Sequence, residues 1–277
     1  MSKPLVWLIV AICAIGLYPA RSQADTLDNV KRKGVLVVGT KADYAPFGFL
    51  DASGNIVGLE ADLAGDVAKR LGVKLELVPV TSANRMQLLQ EGKIDLMIAT
   101  MSVTPEREKA VGIISPHYYA TRIGVLAPKS ANIKDETDLK GKRICALAGV
   151  FFNDRLKTEF TQQDLLVFNS TIDNEAALLA DKCVGFAFDD VLLIYQTKSQ
   201  PEKWKDFDVT VLNEFDPVPW GIAVRREEKN GPWGKFMSGV VSAWLKSNTL
   251  LSLEAKWVGQ NTIWLKAVHT RMSAMPG

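Results

Sequence analysis

Ile94-Asp95-Leu96-Met97-Ile98-Ala99-Thr100-Met101-Ser102-Val103-Thr104-Pro105-Glu106-Arg107 is the stretch that decides the fold. An apolar run of strand length ends in small hydroxyl residues. Thr104 then has the chemistry of a helix N-cap, and Pro105 fits the first helical position, where a missing N–H costs nothing. Glu106 suits the positive end of the helix macrodipole. A strand therefore runs directly into a helix. Arg107 lies inside the first turn of that helix, where the macrodipole opposes a cation by up to ~1 kcal/mol, so an anion is expected nearby. In open α/β sheets ligands gather at the carboxyl ends of strands, where helix amides face outward, and a guanidinium fork matches a carboxylate. The alternative is an arginine paired with a neighbouring glutamate on a solvated helix face.

Upstream, 35–39 is a β-branched run read as a first strand, and 51–58 is a turn rich in Asp, Ser, Gly and Asn. Residues 59–71 carry apolar side chains at Leu59, Leu63, Val67 and Leu71, a helical spacing closed by Gly72. A second strand follows at 75–80, then a helix over 82–90 with Ser82 as its cap. Strand, helix, strand, helix, strand is the pattern of a parallel α/β sheet. Arg85 repeats the placement of Arg107, three positions past a capping residue, and Lys41 lies just beyond the first strand. Two arginines at one rim of a sheet strengthen the case for an anion site there.

Downstream a second α/β unit begins after 123–127. It has strands at 144–147, 165–169 and 184–188, helices at 153–160 and 174–180, and Asp189-Asp190 at the last strand end. Later strands fall at 209–212 and 222–224, and helices at 233–245 and 250–257, with an irregular tail from Gly259. There is no internal sequence repeat and no low-complexity linker. Two packed lobes with a cleft between them are expected.

The chain has 277 residues, 47% apolar and 23% charged, ordinary for a globular protein of one or two domains. Its first 24 residues read as a cleaved secretory signal: Lys3, an apolar run from Leu5 to Leu17, Pro19, and Ser22-Gln23-Ala24 as the cleavage site. The run is short of the ~18 residues a spanning helix needs. Large Ile12 before Cys13 argues against lipid attachment there. Without Lys3 and Arg21, the 33 basic residues fall to match the 31 acidic ones, and the neutral remainder argues against a nucleic-acid partner. Cys145 and Cys183 remain. An oxidising compartment permits a bond between them, but a chain of this size does not need one and the sequence does not give their separation in space, so the pairing stays open. His117 and His269 are far apart and in no metal-ligand spacing, so neither a metal nor another cofactor is expected.

Several segments together resemble the periplasmic solute-binding proteins of polar amino acid ABC importers, bacterial extracellular solute-binding protein family 3. They are Val38-Gly39-Thr40-Lys41-Ala42-Asp43-Tyr44-Ala45-Pro46-Phe47, Val57-Gly58-Leu59-Glu60-Ala61-Asp62-Leu63, Gly92-Lys93-Ile94-Asp95, Thr104-Pro105-Glu106-Arg107, Ser115-Pro116-His117-Tyr118-Tyr119, Asp138-Leu139-Lys140-Gly141-Lys142 and the Asp189 strand end. The match is collinear over the chain after residue 24. Thr81-Ser82-Ala83-Asn84-Arg85 and Asp189-Asp190-Val191-Leu192-Leu193 look most like the glutamate/aspartate binders.

The resemblance implies a two-lobed α/β clamp, each lobe a mostly parallel sheet flanked by helices. Lobe 1 would comprise 25–120 and 220–277, and lobe 2 121–219, with crossing strands near 119–124 and 218–221 as the hinge. It implies that Arg107, helped by Thr100 and Ser102, grips a ligand α-carboxylate, that Asp189 takes the α-ammonium, and that Tyr44 forms an apolar wall. It also implies a monomer that delivers an amino acid to a membrane permease. Once Arg107 and Asp189 are matched, Lys41 and Arg85 remain as two cations, for which a second ligand carboxylate, that of glutamate or aspartate, is the complement. The alternative turns Lys41 to solvent and pairs Arg85 with Glu91. One departure stands out: Gly149-Val150-Phe151 replaces the Gly-Thr-Thr usual at the first helix start of lobe 2. Backbone amides at Val150 and Phe151 can still donate, but the hydroxyls are gone. With Phe152 and Trp220 nearby, this implies a drier wall or a reshaped pocket, suited to a larger or less polar ligand or to weak binding; the alternative packs Phe151 and Phe152 into the lobe 2 core. Two other classes stay open. One is a dehydratase resembling the cyclohexadienyl dehydratases and acting on prephenate, although no pocket carboxylate beyond Asp189 is evident. The other is a ligand-sensing module working through a partner.

Overall fold

The computed structural model describes residues 25–159, 165–212 and 216–275. The signal-peptide reading of 1–24 lies outside the described residues. The opening stretch folds as its chemistry dictates: Leu96–Met97 is a strand, Thr104 Oγ1 accepts the Arg107 N–H at 3.3 Å, and Pro105 opens the helix Pro105–Ala110.

Two five-stranded sheets organise the two lobes. In the first the order is Lys74–Val80, Val35–Lys41, Leu96–Met97, Ala223–Val224, Gly112–Ile113. Its first three strands are parallel, while Ala223–Val224 enters antiparallel between its neighbours. The second runs Leu165–Phe168, Ile144–Leu147, Gly185–Asp189, Ile123–Pro128, Phe207–Val211, with the first three parallel and the last two antiparallel. Parallel neighbours need crossover connections, which the helices supply. The chain passes between the sheets twice, and the two passages pair antiparallel as Tyr119–Thr121 with Val218–Trp220. An aromatic cluster covers that crossing: Trp220 meets Phe47 at 4.9 Å, Tyr119 at 5.3 Å and Tyr44 at 5.9 Å between ring centroids.

The helix Leu59–Leu71 buries Leu59, Leu63 and Val67 completely, each stabilising the fold by roughly 1.5–3 kcal/mol. Gly72 ends it with φ of 68°, a left-handed C-cap. The expected irregular tail is overturned. Residues Ile263–Ser273 form a helix, because Thr262 caps the Leu265 N–H at 3.2 Å and Leu265 and Val268 bury one face. Thr26–Lys33, capped by Asp25, is a further helix with no counterpart among the sequence-based expectations.

The pairing that the sequence leaves open is made in the structure: Cys145 and Cys183 form a disulfide, with their Cα atoms 5.6 Å apart. The cause is topological. Ile144 pairs with Gly185 on adjacent parallel strands, so residues 38 apart in sequence arrive side by side. Closing a loop of that length restricts the unfolded chain. The double variant C145A/C183A is expected to lose about 2–4 kcal/mol of stability, read as a lower denaturant midpoint that no longer responds to reductant.

Candidate functional site

One cavity lies between the lobes. The first lobe contributes Ser82, Arg85, Thr100, Ser102 and Arg107, and the second Val150, Phe152, Phe188 and Asp189. Its volume is about 10 Å³, roughly the room for a single water, so a larger molecule enters only when the lobes part. Strand ends and helix starts place every one of these side chains, as expected for an α/β sheet.

Arg107 closes the cavity. Its Nη1 donates to the Ser102 carbonyl at 2.9 Å, and its Nη2 crosses to the other lobe to donate to the Gly149 carbonyl at 2.9 Å. Gly149 has φ of 77°, and a Cβ there would stand 2.7 Å from the Ser82 carbonyl carbon. The lobes therefore touch where only glycine fits. Burial and the like charge of Arg85 push the Arg107 guanidinium down to about 9, with Asp189 opposing. Asp189 is buried and accepts a hydrogen bond from Tyr44 Oη at 2.7 Å. Burial lifts its carboxyl to about 7 against that hydrogen bond and the arginine charges. Tyr44 is fully buried and packs on Phe188 at 5.3 Å; it does not line the cavity itself as the apolar wall that the resemblance implies, but holds Asp189 through its hydroxyl.

Thr100 has φ of 47°, a left-handed backbone that a β-branched residue rarely adopts. Its N–H donates to Glu60 Oε1 at 2.7 Å, which helps hold the turn in place. Arg85 is buried, donates from Nη1 to the Ala99 carbonyl and does not pair with Glu91, which is bonded to Lys93 at 3.1 Å. Lys41 corrects both readings made of it. It is buried rather than turned to solvent, and its Nζ is ion-paired with Asp43 at 2.8 Å, so it is no unpaired cation and does not line the cavity. Val150 lines the cavity whereas Phe151 does not; the latter packs edge-on to Phe152 at 5.4 Å between ring centroids. Phe152 is both core and cavity wall.

Ser82 and Phe188 are wall residues that the sequence alone does not assign to the site, while of the two aromatics expected near it Phe152 lines the cavity and Trp220 does not. The sequence casts Ser82 as a helix cap, but the helix is Arg85–Gln90 and Ser82 faces the cavity instead. Phe188 directly precedes Asp189, so its place at the strand end is the available signal.

The model of the bacterial extracellular solute-binding proteins, family 3, matches residues 36–260. A glutamine-binding protein of Geobacillus stearothermophilus is 31% identical over 212 residues, covering 74% of this chain and 78% of its own. A glutamate/aspartate import solute-binding protein of Escherichia coli is 27% identical over 216 residues, covering 70% and 71%. Among solved structures, a solute receptor for L-cysteine from Neisseria gonorrhoeae superposes with a TM-score of 0.75 at 30% identity, covering 83% of this chain and 92% of that one. The two sheets, the paired crossing strands and a cavity between the lobes agree with these matches over nearly the whole described chain, which belongs to the bacterial extracellular solute-binding proteins, family 3.

Proposed function

We propose that this protein is the substrate-binding component of an amino acid ABC importer, a periplasmic monomer exported by its leader that closes on one amino acid and delivers it to the permease. The observation that carries this reading is the meeting of Arg107 from one lobe and Asp189 from the other in a single buried cavity. A ligand α-carboxylate would replace the Gly149 carbonyl on Arg107, its α-ammonium would meet Asp189, and Thr100 and Ser102 would flank it. A molecule that bridges both lobes binds the closed form better than the open one, and that difference drives closure.

Relatives are named for glutamine, for glutamate and aspartate, and for L-cysteine, so membership in the family leaves the side chain undecided. The acidic reading rests on Arg85, which lines the cavity, and not on Lys41, which is bonded to Asp43. The experiment is a thermal-shift panel of the twenty amino acids and prephenate on protein unfolded and refolded to remove carried ligand. A ligand at 1,000 times its dissociation constant adds about 4 kcal/mol of stability. A midpoint rise with an amino acid supports the reading, and no rise with any of them overturns it. Prephenate is expected to persist unchanged in the presence of the protein; its turnover, followed by the absorbance of the aromatic product, would establish the enzyme instead.

A further inference from the structure

Four ionisable side chains cluster on the first lobe's side of the cavity: Arg85, which lines it, and Lys41, Asp43 and Glu60, which do not. Lys41 and Asp43 form the 2.8 Å ion pair. Glu60 is completely buried at the start of the helix Leu59–Leu71. Its Oε1 accepts the Thr100 N–H at 2.7 Å and the Tyr118 hydroxyl, while its buried Oε2 meets no hydrogen-bond donor among the described residues. Arg85 donates to the carbonyl of Ala99, the residue before Thr100. Carboxylate and guanidinium are thus anchored on consecutive residues of one turn, and Glu60 is the charge that acts most strongly on Arg85. Two cations and two acids cancel within this group. On the ligand's side of it, Arg107 and Asp189 cancel as well.

A zwitterion with an uncharged side chain keeps that balance, whereas glutamate or aspartate brings an uncompensated negative charge into a dry site. An unmatched buried charge is costly. Apart from Asp189, the second lobe's share of the wall is apolar, built from Val150, Phe152 and Phe188. We propose that Glu60 is a specificity-determining residue: its carboxylate neutralises Arg85 from behind, and the cleft therefore selects amino acids with uncharged side chains over glutamate and aspartate. This rests on the amino-acid-binding reading above.

The test compares the full chain after its leader with the E60Q variant at pH 8, above the value of about 7 to which burial lifts the Glu60 carboxyl. Glutamine keeps an oxygen to accept the Thr100 N–H and the Tyr118 hydroxyl and removes the charge, an amide NH2 taking the place of Oε2. After the twenty-amino-acid panel, calorimetric titrations with L-glutamine, L-glutamate and the neutral amino acid giving the largest midpoint rise supply the affinities. The wild-type protein is expected to bind that neutral amino acid at least about tenfold more tightly than glutamate. E60Q is expected to bind glutamate about tenfold more tightly than the wild type does, and E60Q/R85Q to lose that gain. A wild-type preference for an acidic or basic amino acid overturns the proposal while leaving the amino-acid-binding reading intact, whether or not E60Q folds. An unchanged glutamate affinity in folded E60Q overturns the role of Glu60. Binding of no amino acid by the wild type overturns both.

Discussion

Replacing Arg107 by alanine is expected to weaken amino acid binding by more than a hundredfold while leaving the fold in place. Removing one member of a buried charge pair costs about 3–5 kcal/mol, because the partner charge is left buried without compensation. Here the stranded partner would be the ligand α-carboxylate. The fold should tolerate the change, since among the described residues the Arg107 guanidinium hydrogen-bonds two backbone carbonyls, Ser102 and Gly149, and the second of these belongs to the other lobe. Calorimetric titration gives the affinity, and the thermal midpoint of the ligand-free protein reports the fold. R107K is the sharper variant: an ammonium keeps the charge but lacks the planar fork that engages a carboxylate through two parallel bonds, so an intermediate loss is expected. If R107A binds within about threefold of the wild type, the α-carboxylate is not held by Arg107.

Arg107 is legible in the sequence because its signals are local. A cap, a proline at the first helical position and a cation in the wrong half of the helix dipole fall within four residues, and no tertiary contact is needed to read them. The helix Leu59–Leu71 and the strand Ile144–Leu147 are legible for the same reason. Lys41 is not. It ends a β-strand at the rim, as a ligand-binding cation would, and only the structure shows Asp43, two residues later, turned back against it. The disulfide and the place of Glu60 behind Thr100 likewise depend on distant segments meeting. Glu60 lies in a segment that resembles the family, but its burial and its oxygen without a donor appear only once the helix is docked on the turn at Thr100. The C-terminal helix escapes the sequence for a different reason: its buried face is two residues, Leu265 and Val268, too narrow a pattern to outweigh the polar residues around it.

Asp189 should make binding fall with acidity. Burial is the main cause that lifts its carboxyl to about 7, and the adjacent Asp190 adds to the effect, while Tyr44 and the two arginines resist it. The ligand-free protein therefore takes up a proton as pH falls through 7. An α-ammonium needs the ionised carboxylate, so binding below that point must expel the proton, and affinity is expected to drop by up to about tenfold for each pH unit below 7. The effect on folding has the opposite sign. Because the folded-state value lies above the ordinary one, the contribution of Asp189 to stability is fully present at low pH and is lost as pH rises through 7. Between pH 8 and pH 6, the ligand-free midpoint should thus rise, by this contribution, while affinity falls. Glu60 titrates in the same range and shifts stability in the same direction, yet it lies behind Thr100 and meets no ligand ammonium. D189N separates the two. It keeps an oxygen for the Tyr44 hydroxyl and removes the charge, so binding at pH 8 should weaken by about 2–5 kcal/mol and its dependence on pH should flatten. A D189N protein that still loses affinity about tenfold per unit below pH 7 would assign the titration to another group and leave the ammonium without its partner.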